Sequence, residues 1–461
     1  MLLLAVVSYI LVTLLIGVFA ARWVRNPRDF ILAGRKLPLW LASSALFATW
    51  FGSETVLGAS SEFVSHGLQG VIEDPFGAAL CLLLVGWLVA RPLHRLNILT
   101  FCDFYRDRFG QRTELLSSLC MVPSYFGWIA AQLVAIGIIF QVIAGIPTLW
   151  GIVIGTVVVV AYTYVGGLWA VSITDFLQTV VIVVGLVWLA VDLTQAAGGL
   201  TQVVDRTPTG FFQFWPEGDI SSLTHYVAAW VTIGLGSIPQ QDIFQRVMAA
   251  KSERVAVRAS YVASLMYLSI GMVPLLIGLC ALQLYPERVG GVADAQLTLP
   301  MVVMHHTGLG RQILFFGALL SAIMSTTSGA ILAPASILAE NIIRPHLRDQ
   351  SDPRLLQILR GSVVVVGLAS AVMATWQSNI YDLVAQSSAL SLVSLLVPLM
   401  AGLYWKKADE WGALLSIALG MGAWLLAESV GSDFPPILWG LLASIGGMGL
   451  GSGWKKTGDT A

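Results

Sequence analysis

The chain has 461 residues, 57% of them hydrophobic and 11% charged, with a formal net charge of −1. A soluble domain is about 45–50% apolar and about 25% charged, so a water-soluble fold of this length cannot hide so much apolar surface. The basic residues sit in short stretches between apolar runs rather than on one face, which excludes nucleic-acid binding and leaves an all-α polytopic membrane protein.

A helix needs roughly 20 apolar residues to cross a bilayer. Thirteen runs qualify: 2–20, 39–63, 70–90, 114–143, 149–166, 174–193, 223–245, 259–284, 311–340, 361–377, 380–405, 411–429 and 436–453. The first lacks a basic leader and a small-residue cleavage site, so it reads as a retained helix rather than a signal peptide. Twenty-two of the 25 Lys and Arg residues fall in six clusters, at 22–36, 91–112, 246–258, 344–360, 406–407 and 455–456. An even number of runs separates each adjacent pair of clusters, so all six can lie on one side. Short basic loops stay in the cytoplasm, which places the N-terminus outside and the C-terminus inside. Trp405 and Trp454, each beside a lysine pair, read as interfacial anchors. The polar stretches 91–113 and 344–360 are too short to fold alone, and the chain reads as one membrane domain. Cys81, Cys102, Cys120 and Cys280 show no metal spacing and read as small core residues.

Two spans contain residues foreign to a regular lipid-facing helix. In the second, Ala48-Thr49-Trp50-Phe51-Gly52-Ser53-Glu54-Thr55 places a carboxylate and three hydroxyls near mid-membrane. In the seventh, Gly234-Leu235-Gly236-Ser237-Ile238-Pro239-Gln240-Gln241 joins two glycines to a proline. Proline removes a backbone donor and clashes with the preceding turn. Irregular backbone at membrane depth survives only inside protein or beside a wet cavity. The second and seventh spans are five apart and so cross in opposite directions. Broken helices at matching places in oppositely oriented halves point to an inverted-repeat transporter, with repeats at 39–193 and 223–405 and peripheral segments at 1–38 and 411–453.

The chemistry of these breaks suits a cation. An unwound segment frees carbonyls, and Na⁺ takes hard oxygen ligands by the logic that governs Ca²⁺ and Mg²⁺. The ninth span carries Ser321-Ala322-Ile323-Met324-Ser325-Thr326-Thr327-Ser328-Gly329, the densest hydroxyl run in any span. Ser325 shares a helix face with Ser321 and with Ser328. Such hydroxyls also bond their own helix or pack close helix pairs, and the run alone does not decide between these roles. Glu54, an ionisable residue at membrane depth, is by default functional: it can neutralise a cation, orient substrate or hold a proton, or else tie two helices together. Thr174-Asp175, at the edge of the sixth span, reads by itself as a helix cap.

Three stretches resemble the sodium/solute symporter family. They are Tyr164-Val165-Gly166-Gly167 with Thr174-Asp175-Phe176-Leu177-Gln178, Pro239-Gln240 with Gln245-Arg246, and Met324-Ser325-Thr326 with Glu340-Asn341. The resemblance implies a five-plus-five inverted repeat with extra helices and Na⁺ as coupling ion, without an organic cofactor. It implies one Na⁺ between the second and ninth helices, held by the carbonyls of Ala48, Phe51 and Ala322 and the hydroxyls of Ser325 and Thr326. It also puts Asp175 on the ion's exit path. Trp50 stands where proline carriers place an aspartate, and Glu54 matches a substrate-side glutamate of sugar carriers.

The nearest local resemblance is to the high-affinity choline transporter branch. Trp50 and Trp128 fall at cage positions there, while Gln240 replaces a third cage tryptophan and Ala78 a cage tyrosine. Aromatic faces bind quaternary ammonium through the ring quadrupole. Two tryptophans with Glu54, Gln240 and Gln241 suit a small polar solute bearing a cationic or zwitterionic group. Choline-like compounds and amino acids such as proline both meet that description. The expectation is Na⁺-coupled symport by a monomer in a bacterial inner membrane, with solute, Na⁺ and lipid as partners. A transporter-like sensor is the other class; an enzyme is not expected, since His305-His306 has no matching carboxylate pattern.

Overall fold

In the computed structural model, residues 1–286, 295–347, 351–376 and 379–454 are described. Among them all regular elements are helical, and the β-type pairing is limited to an isolated bridge between Leu37 and Ala250. The elements used below are α1 (Leu2–Ala20), α2 (Leu39–Trp50), α3 (Ala59–His66), α4 (Ala78–Leu84), α5 (Phe101–Phe109), α6 (Gln111–Ser124), α7 (Phe126–Ala144) and α8 (Thr148–Ala196). They continue as α9 (Ile220–Gly236), α10 (Gln241–Ala249), α11 (Glu253–Leu284), α12 (Leu309–Ile337), α13 (Asp352–Ala374), α14 (Ile380–Ser391), α15 (Glu410–Val430) and α16 (Pro436–Trp454).

Short polar side chains start these helices by satisfying the first free N–H groups. Thr100 and Asp103 cap α5 reciprocally, and Asp219, Ser252, Asn379 and Asp409 cap α9, α11, α14 and α15. The Ser222 N–H and hydroxyl hold the Asp219 carboxyl below its ordinary range. Glycine sets one sharp bend: Gly167 (φ 51°, ψ −152°) divides α8, and a Cβ there would meet the Phe30 ring and carbonyl at 2.6 Å.

Among the described residues, nine helical stretches are long and apolar enough to cross a bilayer, and Leu39–Trp50 and Pro436–Ser452 are shorter apolar helices. Burial grades them from centre to rim. Leu309–His346 is 83% buried over its most apolar stretch, whereas Leu2–Ala20 and Glu410–Val430 are only 22% buried. Leu4, Leu11, Leu15 and Val18 of α1 are exposed, as expected for a lipid-facing surface. At the other rim α15 and α16 pair through small residues: the Ser416 and Ser444 hydroxyls meet at 2.8 Å, and a Cβ on Gly451 would lie 2.5 Å from the Gly412 Cα.

The basic clusters are more structured than loops. Arg106 and Arg108 lie on α5, Arg254 and Arg258 on α11, and Arg354 and Arg360 on α13, which starts nine residues before the predicted span because Pro353 is set for a first turn. Arg246 departs furthest, being fully buried on α10. Trp405 is exposed beside Lys406–Lys407; Arg348, Lys455, Lys456 and the Trp454 side chain lie outside the described residues. The four cysteines are buried and free.

Candidate ion and substrate site

The first break lies where the sequence puts it. Helix α2 ends at Trp50, Phe51 leaves helical geometry (φ −74°, ψ 79°), and helix resumes as a π-helical turn at Glu54. The Gly52 N–H turns back onto the Trp50 carbonyl at 2.8 Å instead of reaching Ala48. The Ala48 carbonyl is thereby released, and it accepts from Thr326 at 3.1 Å and Ser325 at 3.3 Å on α12. Ser325 also donates to Asp175, whose second carboxylate oxygen is buried without a partner.

One carbonyl, two hydroxyls and one carboxylate thus converge in a fully buried place, a hard-oxygen set of the kind a Na⁺ ion takes. Ala322 lies one turn before Thr326 on the same face, and Phe51 is buried at the end of the broken helix. Asp175 is not a helix cap: it sits inside α8, while Thr174 bonds carbonyls of its own helix. The bend at Gly167 carries the helix onward, and Asp175 meets the Ser325 hydroxyl. Ser321 turns away from it, donating to Tyr9 at 2.7 Å.

The second break runs from Gly236 to Gln240, whose backbone is extended (φ −85°, ψ 142°) before α10 begins. Between the two breaks lies a narrow cleft. Trp50, Glu54, Trp128 and Gln240 line it, together with Asp74 and Tyr267. Ser237, Ser387 and Ser388 also line it. Glu54 is fixed from α7, where the Trp128 indole donates at 3.0 Å and Gln132 at 2.6 Å; the Gln132 carbonyl oxygen in turn accepts the Ser53 N–H. Gln241 does not join them. Its side-chain oxygen accepts the Phe101 N–H at 2.6 Å, which ties α10 to α5.

Sequence reasoning passed over three residues of this region. Asp242 accepts from the Trp50 indole at 2.9 Å and from Tyr125, clamping one tryptophan of the cleft. Tyr267 of α11 donates to the Trp50 carbonyl at 2.9 Å and stacks edge-on against Phe51. Asp74 accepts from Thr55 at 2.6 Å. Each carboxylate lies in a candidate span, where a charge is costly and signals a role, and that signal was available at Asp74 and Asp242 as it was at Glu54.

Behind the cleft, the buried Arg246 guanidinium donates to the Asp242 carbonyl at 3.3 Å and rests on Gly329. A Cβ on Gly329 would run into the Arg246 Nη2. Gly329→Ala is expected to lower stability by about 1–3 kcal/mol through overpacking. Thermal unfolding in detergent reads this as a lower midpoint in both Na⁺ and K⁺.

A family model described as the sodium:solute symporter family matches residues 30–420. The chain belongs to this family. Over 448 residues the symporter is 26% identical to the high-affinity choline transporter 1 of Caenorhabditis elegans, covering 90% of this chain and 76% of that relative. It is 27% identical to the human high affinity choline transporter 1 over 441 residues (91% and 75%). The high-affinity proline transporter PutP of Bacillus subtilis (strain 168) is 29% identical over 441 residues, 91% of each chain. Among solved structures, a Na⁺-coupled sialic acid symporter in a substrate-bound outward-open state matches with a TM-score of 0.86 at 19% identity over 98% of both chains. Mhp1, a nucleobase-cation-symport-1 family transporter in a closed conformation, matches at 0.64 and 18% identity. The protein is therefore an integral membrane, Na⁺-coupled solute symporter on a transporter fold.

Proposed function

We propose that the symporter carries a small organic cation, such as a choline-like ammonium compound, together with Na⁺ across a bacterial plasma membrane by alternating access. The observation that carries this reading is the double use of one break. The backbone turn that hands the Ala48 carbonyl to Ser325 and Thr326 also presents Trp50 and Glu54 to the cleft. Ion and solute would then bias the same segment, and a ligand moves a conformational equilibrium only through such differential contact. On this reading 39–193 and 223–405 form two oppositely oriented repeats, and the cytoplasmic side is the one bearing α5 and the basic clusters.

An amino-acid substrate is the second reading, supported by the 29% identity to a proline transporter. The cleft favours the first, because aromatic faces and carboxylates line it and no Lys, Arg or His does. The deciding experiment is thermal stability of the purified protein with choline, betaine, proline, sugars and small carboxylates, each in Na⁺ and in K⁺. A Na⁺-dependent shift from choline and none from proline supports the proposal; the reverse overturns it.

Trp50→Ala is expected to weaken substrate and spare the ion. Loss of one cation–π face costs about 0.5–2 kcal/mol, or about a 2- to 30-fold rise in KM. Uptake into proteoliposomes across a substrate series gives that KM, and the Na⁺ concentration for half-maximal uptake should stay unchanged.

A further inference from the structure

Asp74 is the one cleft carboxylate whose bonding is left half made. It is 1% exposed, its Oδ2 accepts from Thr55 at 2.6 Å, and its Oδ1 is buried with no partner. Asp74 lines the cleft from a non-helical position (φ −142°, ψ 121°) inside the turn Ile72–Gly77 that leads into α4. The other two carboxylates of the region are provided for. Asp242 takes Trp50 and Tyr125 and has the Arg246 guanidinium one turn away. Glu54 takes Trp128 and Gln132, and it flanks Gly52 together with Thr326: Glu54 Oε2 and Thr326 Oγ1 lie 2.7 and 2.9 Å from the position a Cβ on Gly52 would occupy. A Na⁺ at Ala48 and Thr326 can therefore balance Glu54, which leaves Asp74 for the solute.

The serine lining offers an anion no charged partner and at most one free hydroxyl proton. The Ser237 and Ser388 hydroxyls bond each other at 3.1 Å, and Ser387 donates to the Leu383 carbonyl at 2.9 Å. A zwitterion would set its carboxylate among Glu54 and Asp74 without a cation to meet it. A fully alkylated ammonium has no N–H at its charged centre: tetramethylammonium would leave the Asp74 Oδ1 buried and unpaired, and choline could reach it only with its neutral hydroxyl, a weaker partner than a charged N–H.

We propose that, among organic cations, the cleft prefers a protonated primary or secondary amine without a carboxylate, an amino alcohol or short diamine, over a quaternary ammonium such as choline, and that Asp74 accepts its N–H and so sets that preference. This deepens the organic-cation reading above and rests on it. The test is Na⁺-dependent thermal stabilisation by ethanolamine, N-methylethanolamine, 1,3-diaminopropane, choline, tetramethylammonium, betaine and proline. The expected order places the N–H donors at least about tenfold tighter than choline and tetramethylammonium, with betaine and proline silent.

Asp74→Asn keeps the shape and the acceptor for Thr55 but removes the charge. It is expected to weaken the amines about tenfold or more while leaving the shift from Na⁺ alone unchanged, and that shift reports a folded protein. Choline or tetramethylammonium binding as tightly as the amines overturns the Asp74 assignment and leaves cation symport standing, as does an Asp74→Asn variant that keeps full amine affinity. Binding of proline or betaine in preference to every amine overturns the organic-cation reading and this proposal with it.

Discussion

Replacing both Ser325 and Thr326 by alanine is expected to raise the Na⁺ concentration for half-maximal uptake about thirtyfold or more, with normal membrane insertion. The two hydroxyls converge on the Ala48 carbonyl at 3.3 and 3.1 Å, and both are fully buried. A hydrogen bond or ligand contact to a charged group is worth about 1.5–3 kcal/mol, and adjacent ligands are not additive, so about 2 kcal/mol is a floor for losing the pair. Each 1.4 kcal/mol is tenfold in affinity. Alanine retains a small residue at both places, so α12 can still pack at the centre of the bundle. The Ser325 change also removes the donor to Asp175, so Ser325→Ala alone should exceed Thr326→Ala alone. Thermal stability in K⁺ separates the ion effect from a packing effect: it should fall little, while the stabilisation by Na⁺ disappears. An unchanged Na⁺ half-saturation in the double variant would remove these hydroxyls from the ion site.

Much of this arrangement was legible from residue types. A carboxylate and a proline inside apolar runs mark the places where a regular helix is not the answer, and both breaks fall at the positions so marked, with Phe51 and Gln240 non-helical. The hydroxyl run on α12 was equally plain, since few lipid-facing helices need one. Gly166-Gly167 was visible as a motif, and its geometry adds the reason, a left-handed residue with no room for a side chain beside Phe30.

What escaped the sequence depended on which helices touch. Tyr267 is one aromatic residue in an apolar helix, and nothing local says that its hydroxyl crosses to the Trp50 carbonyl, 217 residues away. Gln241 beside Gln240 read as a pair, yet the two sit on either side of a helix start, so one faces the cleft and the other the Phe101 N–H. Asp175 looked like a cap because Thr-Asp pairs start helices; only the Gly167 bend shows the chain is already helical there. Arg246 was counted with the basic loops, and only the fold reveals Gly329 as the surface that admits a buried guanidinium. The same contacts also set the inner network in which Asn341 donates to Asp103 at 2.9 Å and Glu114 at 2.8 Å.

Gly52→Ala is expected to abolish both Na⁺ stimulation and substrate binding. The added Cβ would lie 2.7 Å from the Gln132 Oε1, 2.7 Å from the Glu54 Oε2 and 2.9 Å from the Thr326 Oγ1. Contacts below 3.0 Å force something to move, and here the crowded atoms are the fixed ends of two hydrogen-bonded groups and the hydroxyl of Thr326, a proposed ion ligand. Gln132 cannot retreat without dropping the Ser53 N–H at 2.9 Å, which closes the break itself. Displacing Glu54 undoes its bond to Trp128, so one wall of the cleft shifts as well. Gly361→Ala is the control, because that helical glycine has nothing within 4 Å of an added Cβ and alanine is the better helix former there. Uptake by Gly361→Ala should match the parent protein, and Gly52→Ala should insert, remain folded in K⁺ and gain no thermal stability from Na⁺ or solute. If Gly52→Ala lost solute binding but kept its Na⁺ response, the two sites would be separable at this residue. Coupling would then have to run through α12 rather than through the broken turn.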